Sequence, residues 1–382
     1  PPRGARAPRR LETWWGDLRY ALRGLLKAPA FSTVTVLTRA MGIGANTAIV
    51  SVVRGVLLKP LPFPDSENLV FINSYFHPES GYDFPDYPVG SPEYFDYKSQ
   101  SGALESVAAV STELVTLTEG EGDPEVVPAG WVSPSFFEVL GTPPLMGRTL
   151  LESDGGAEPA RVVVLSFDLW QNRFGGDPDV VGRGIDLGME VSPEPVTTEV
   201  VGVMPDGFAY PRKDTQLWGA LPLDPARTWR GGHWFDMIGR LAPGSTLQSA
   251  QAEMAGLMSQ WAVTYPDHHV GHGLQMRSLI EEEVGSARPI LLLLLGAVGI
   301  VLLIACANVT SLLLARGEER RREVAVRSAL GASRGRILQH GMIESFLLAA
   351  LGGILGLLLA LVGVKGLVAL EAGAIPRVEE IG

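Results

Sequence analysis

Hydrophobic and polar positions follow three different rhythms along this chain, and the longest apolar runs lie in its C-terminal quarter. From Pro289 the sequence reads PILLLLLGAVGIVLLIACANVTSLLLA, then a charged block, then SFLLAALGGILGLLLALVGV. No charged residue lies between Arg288 and Arg316, and none between Glu344 and Lys365. A helix needs about 20 apolar residues to cross a hydrocarbon core of about 30 Å. Residues 288–315 and 338–370 therefore predict transmembrane helices. A weaker candidate, AFSTVTVLTRAMGIGANTAIVSVVRGVLL at residues 30–58, is interrupted by Arg39 and Arg54, whose long side chains can snorkel to an interface. It is predicted as the first span.

The middle of the chain has a mixed rhythm. Strand-like runs occur at Leu114–Thr118, Arg161–Leu165 and Glu199–Met204. Helical spacing occurs at Ser91–Ser99 and, more clearly, at Leu247–Tyr265. There Leu247, Ala250, Met254, Leu257, Met258 and Trp261 share one face after a cap at Ser245 or Thr246. Gly- and Pro-rich links such as GDPEVVPAG and GGDPDVVGRG separate the runs. Interspersed strands and helices predict an α+β domain over residues 59–287, in one or two lobes. In residues 1–29, Trp15, Leu18, Leu22, Leu25 and Leu26 form an apolar stripe beside basic residues, the pattern of a helix lying in the cytoplasmic interface. The predicted fold class is an α-helical integral membrane protein with a large α+β extracytoplasmic domain inserted between the first and second transmembrane helices.

Charge orients this arrangement. Residues 59–288 hold 13 Lys/Arg against 33 Asp/Glu, while the remainder holds 18 basic against 9 acidic residues. An acidic domain argues against nucleic-acid binding. The block at 316–337 carries Arg316, Arg320, Arg321, Arg322, Arg327, Arg334 and Arg336 against Glu318, Glu319 and Glu323. Basic residues beside a span mark its cytoplasmic side, so the block is predicted to turn in the cytoplasm and the acidic domain to lie outside. The single cysteine, Cys306, lies within a span and leaves no internal disulfide.

Several motifs together carry a family resemblance. MGIGANTAIVSVVRGVLLKPLPFPDSENLV resembles the first span and exit of MacB-type and FtsX-type ABC transporter permeases, although Arg39 stands where the family usually has an uncharged residue. VSPSFFEVLGTPPLMGRTL, RVVVLSFDLWQNRFGGDPDVVGRGIDL, VVGVMPDGF and GRLAPGSTLQSAQAEM resemble the MacB periplasmic core domain. Pro289–Leu370, with EVAVRSALGASRGRI at its centre, resembles the FtsX-type permease module. The likeness is nearest to duplicated bacterial permeases of about twice this length. It implies a multi-pass inner-membrane subunit driven by a cognate ABC ATPase and acting as a homodimer or with a duplicated second half. A periplasmic adaptor or outer-membrane partner fits the same family. The chain begins without Met, and residues 371–382 are expected to begin an outer loop that stops short of a fourth helix. The implied output is export of peptides, drugs or lipoproteins. The alternative is an FtsX-like transducer that activates a periplasmic partner such as a cell-wall hydrolase.

Candidate chemistry narrows the role. A phosphate-binding loop of the form G-x-x-x-x-G-K-[ST] is excluded, because the sequence contains no Gly-Lys pair. No catalytic residue, cofactor or metal site is predicted; ATP hydrolysis is assigned to a partner. Gly331-Ala332-Ser333-Arg334-Gly335 matches the hydrolase elbow G-x-S-x-G, but a charged helix precedes it where a strand is required. Gly331 and Ser333 read instead as the end of one helix and the cap of the next. His268, His269 and His272 with Asp267 read as an exposed polar loop rather than ligands, and Asp65, Asp83, Asp86 and Asp96 as solvated. Gly42, Gly44, Gly352 and Gly356 read as close-packing sites between membrane helices, and Asn308 as a polar residue able to bond across them. Within the charged block, Glu323 and Arg327 form an i,i+4 pair in the favoured order. By the resemblance, this block is the coupling helix that docks on the ATPase, with Arg316, Arg320, Arg321, Arg322, Glu323, Val324, Arg327, Leu330, Gly331, Ser333 and Arg334 as its contact residues.

Overall fold

The alternation of β-branched residues with Gly and Pro breaks in the middle of the chain resolves into strands, and the long apolar runs into helices. The computed structural model describes residues 25–77, 84–118, 123–189, 192–269, 271–319 and 334–370, with Arg19, Leu22, Arg23, Arg321, Ala325, Val326 and Ala329. It divides into two bodies: Pro1–Lys59 with Val284–Gly382, and Pro60–Glu283.

The first body contains α1 (Pro29–Val53) and two long helices towards the C-terminus, described below. The second runs β1 (Leu69–Phe76), β2 (Phe84–Tyr87), β3 (Val89–Gly90), α2 (Ser91–Gln100), β4 (Leu104–Leu117), β5 (Glu125–Val132), α3 (Phe136–Leu140), β6 (Met146–Gly147), β7 (Val162–Leu165), α4 (Phe167–Phe174), β8 (Gly184–Met189), β9 (Ser192–Val203), β10 (Leu217–Ala220), β11 (His233–Leu241), α5 (Leu247–Thr264), α6 (Pro266–His269) and β12 (His272–Ser278). Local chemistry sets the helix ends. Ser166 Oγ accepts from the Leu169 N–H at 3.1 Å to start α4, and Gly175, at φ 61°, ends it. Thr246 Oγ1 accepts from the Ser249 N–H at 3.1 Å to start α5, which matches the helix read from sequence.

One sheet joins all twelve strands described, in the order β12-β1-β11-β4-β5-β10-β7-β9-β6, with β2 on β1, β3 on β11 and β8 bridging β4 and β9. That last bridge matters. Because Leu117 of β4 pairs with Leu187 of β8, the strands β4, β5, β10, β7, β9 and β8 close into a ring. Each contributes to one core, through Val115, Val127, Leu217, Val163, Val200 and Ile185, and α4 adds Leu169 and Phe174. The opposite face of β7 puts Val162 and Val164 into a second core with Phe136, Phe137, Phe208 and Trp218. The remaining end is a sheet covered by helices: Tyr94 and Tyr97 of α2 and Met254, Met258 and Trp261 of α5 lie on Val70, Ile72, Met237 and Met276. Full burial of each such side chain stabilises by about 1.5–3 kcal/mol. A single sheet thus runs through two ends of different construction, a closed ring and a helix-covered layer.

The other body holds α1, a helix over Arg288–Glu319 that also follows a short α7 (Leu279–Val284), and a helix over Arg334–Leu370; these two long helices are α8 and α9. All three segments are long and apolar enough to cross a membrane. A π-helical turn, Arg54–Leu58, continues α1. The outer two helices extend a few residues past the predicted span ends, into the charged block from either side.

Candidate functional site

Of the residues predicted to couple to an ATPase, Arg320, Arg322, Glu323, Val324, Arg327, Leu330, Gly331 and Ser333 lie outside the described residues, and Arg334 opens α9. Arg321 is exposed and paired with Glu318 at 3.0 Å, one helical turn away. Arg316 is different. Its guanidinium meets Glu344 of α9 at 2.6 Å, with only 12% of either side chain exposed, and lies 4.3 Å from the centre of the Phe31 ring on α1. A half-hidden pair of this kind, capped by an aromatic face, holds three helices together. Arg316 is therefore turned into its own bundle rather than towards a docking partner.

The predicted small residues sit where backbones approach. A Cβ built on Gly44 would stand 2.9 Å from Gly356 O, and one on Gly356 3.0 Å from Ala40 O. Gly352 is blocked by the Arg39 side chain at 2.8 Å, and Gly42 faces Leu302 and Ala305 of α8 at 3.3 and 3.4 Å. Asn308 lies on the exposed side of α8. The amide that bonds between helices is Asn46, whose Nδ2 donates to Val298 O at 3.3 Å and to Gly42 O at 3.0 Å. Arg39, read as snorkelling, instead donates to the Ser345 carbonyl of α9 at 3.4 Å.

The α+β body contains a buried polar cluster that the sequence did not group. Glu93 occupies the first turn of α2, where its Oε2 accepts from the Gly90 N–H at 2.7 Å. A Cβ at Gly90 would overlap that carboxylate and stand 3.0 Å from Gly232 O, so a larger residue would displace Glu93. His233 opens β11, paired with Gly90 of β3, and His272 opens β12, paired with Phe76 of β1. His233 Nε2 lies 3.5 Å from Glu93 Oε1, and the His233 and His272 rings are 5.0 Å apart. His269 ends α6, stacked on His272 with the two Nδ1 atoms 3.2 Å apart. Phe76 stacks on His272, and Trp261 and Tyr265 flank His269. Arg230 packs 4.0 Å from the centre of the Tyr265 ring, reaches His269 Nε2 at 3.5 Å and is ion-paired with Asp96.

The electrostatics follow from burial. Burial pushes His269 and His272 down to about 4, against the pull of the Glu93 charge, so both imidazoles are neutral at physiological pH. Burial raises the Glu93 carboxyl, but the neighbouring imidazoles, His233 at 3.5 Å first among them, outweigh it and hold the group below its usual range. Glu93 Oε1, His233 Nε2 and His272 Nε2 are all buried without a hydrogen-bond partner. Each such atom costs roughly 1–3 kcal/mol if left unmatched. Among the described residues, Glu93, His233 and His272 form a group whose ligand atoms lie within 4.8 Å of one another.

These positions correct two expectations. His269 and His272 are 1% and 6% exposed, not members of an exposed loop, because α6 turns the chain directly from α5 into β12. Asp96 is bound to Arg230, and Asp86, though exposed, bonds Arg277 and Asn73 at 3.0 Å. Asp65 is exposed in a left-handed turn, and Asp83 lies outside the described residues. Glu93 and His233 could have been suspected only as charged residues at the starts of elements.

Comparison with known proteins gives two family matches. The model described as MacB-like periplasmic core domain matches residues 32–257, more than half of the chain, and the one described as FtsX-like permease C-terminal matches residues 295–374. The macrolide export ATP-binding/permease protein MacB of Neisseria meningitidis is 27% identical over 228 residues, covering 59% of this chain and 33% of that protein. The chain thus spans about a third of the length of the MacB relatives it matches. An uncharacterized ABC transporter permease of Bacillus subtilis, YknZ, is 24% identical over 355 residues, covering 89% of this chain and 84% of that one. The periplasmic region of MacB from Actinobacillus actinomycetemcomitans aligns with 12% identity and a TM-score of 0.40, over 63% of this chain and 97% of that one.

Proposed function

Starting from a chain that belongs to the family of ABC transporter permeases with a MacB-like periplasmic core domain and an FtsX-like permease module, we propose that it is the membrane subunit of a mechanotransmission system. A partner ATPase binds and hydrolyses ATP. Its movement enters through the basic segment between α8 and α9 and passes along these helices to the α+β domain outside. The output is export of peptides, drugs or lipoproteins from the periplasm, with the chain working as a dimer or beside a second permease half in the bacterial inner membrane.

The observation that carries this reading is the order of parts. One large α+β domain is inserted between apolar helices, and a dense arginine block lies between the last two, in a sequence with no phosphate-binding loop. Arg316 is engaged by Glu344, and the next basic residues in the sequence are Arg320, Arg321 and Arg322. Replacing all three by Glu should abolish co-purification with a co-expressed cognate ABC ATPase, with the membrane subunit still reaching the membrane. Unchanged co-purification would overturn the coupling assignment.

A further inference from the structure

We infer that Glu93, His233 and His272 form a binding site for a single divalent transition-metal ion, zinc in the first instance, which clamps the helix-covered end of the α+β domain. The geometry is that of a ligand set. Ligand bonds of about 2.0–2.2 Å place the atoms around a tetrahedral zinc roughly 3.3–3.6 Å apart. Glu93 Oε1 and His233 Nε2 are separated by 3.5 Å, and the ligand atoms of all three residues fit within 4.8 Å. Each of the three residues also has an atom left over. Glu93 commits Oε2 to the Gly90 N–H and His272 commits Nδ1 to His269, so Oε1 and Nε2 are the free ends. Glu93 is fully buried, and the His233 side chain is 5% exposed.

The surroundings hold the ligands in position. A metal on His272 Nε2 requires its proton on Nδ1, and the acceptor there is His269 Nδ1 at 3.2 Å. That places the His269 proton on Nε2, 3.7 Å from Glu93 Oε1, and makes the 3.5 Å approach of Arg230 to the same nitrogen a packing contact and not a hydrogen bond. Phe76 stacked against His272 at 4.8 Å and Tyr87 beside His233 at 5.4 Å restrict both rings. The nearest opposing charge, Arg230, is neutralised by Asp96. Two imidazoles with one carboxylate favour zinc and its first-row neighbours over magnesium or calcium, which prefer oxygen. The ligands come from the starts of α2, β11 and β12, so one ion ties together three elements that meet only in the folded domain.

The test uses the full chain in detergent, purified with a tag that contains no histidine and stripped with a chelator. Zinc chloride titration followed by elemental analysis should show one ion per chain and a rise in the thermal midpoint. Cobalt should give the visible bands of a tetrahedral site. Glu93→Gln, which retains an acceptor for Gly90, and His272→Gln should each weaken zinc at least about 100-fold, whereas His268→Gln should bind as the parent does. Failure of the unmodified chain to bind zinc, cobalt or nickel stoichiometrically would overturn the site, and would identify the cluster as a proton-sharing His–Glu pair. Parental affinity in both ligand variants would overturn it equally. Should the variants not fold, the cobalt spectrum of the unmodified chain decides: tetrahedral bands support the site, and an aquo-ion spectrum sinks it.

Discussion

At the scale of single residues, the α+β domain carries an acid that its surroundings do not fully balance. Asp236, on β11, shares a patch with Asp86, Glu282 and Arg277. Arg277 is already bound to the other two carboxylates, at 3.0 and 2.7 Å. Burial first, then the charges of Glu282 and Asp86, raise Asp236 from 3.8 to about 6, against the pull of Arg277. Between these values the folded state holds a proton that the unfolded state has released. This contribution to stability is therefore greatest below about pH 4 and is lost as pH rises through 6. Asp236→Asn should stabilise the full chain at pH 7.5 by on the order of 1–2 kcal/mol, discounted for partial exposure, and leave it unchanged near pH 4. Thermal melts of parent and variant at the two pH values test this. An equal difference at both would show that the charge is not the cause.

At the scale of elements, the apolar helices are separated by the residues that permit contact. Gly44 and Gly356 let α1 and α9 approach until a methyl group has no room, whereas Gly296 on α8 meets nothing within 4 Å. Gly44→Ala should destabilise the helical body by about 1–3 kcal/mol through overpacking. Gly296→Ala should be neutral or stabilise by up to about 1 kcal/mol, because alanine is the better helix former. Heat-induced aggregation of the detergent-solubilised chain would rank the two. Equal midpoints would mean that the α1–α9 approach is not tight. Helices α1 and α8 show why polar residues in apolar helices are hard to assign from spacing. Asn308 and Asn46 both interrupt apolar runs, yet only the facing of each helix decides that Asn46 bonds Val298 O while Asn308 is exposed.

At the scale of the whole molecule, the reading rests on which side of the membrane each body occupies. In a Cys306→Ser background, an impermeant thiol reagent added to spheroplasts should label Ser259→Cys, on the exposed surface of α5. Arg321→Cys should be labelled only after permeabilisation. The reverse pattern would invert the topology and remove the basic segment as an ATPase contact. The long apolar helices were legible from sequence, since a stretch free of charge for the length of a bilayer has few other uses, and the α+β class followed from interspersed runs. The closure of β4, β5, β10, β7, β9 and β8 into a ring was not legible, because it depends on Leu117 meeting Leu187, a pairing that local pattern does not encode.

The sequence by itself determined the apolar helices, the acidic α+β domain and the family, because hydropathy and charge act locally and are written in consecutive residues. Only the tertiary structure decided the rest. Arg316 reads as one basic residue among many until Glu344 and Phe31 are brought to it. Glu93, His233 and His272 read as unrelated polar residues until three element starts converge beneath α5. A site is a property of distances between side chains, and those distances are fixed by packing that no single segment contains.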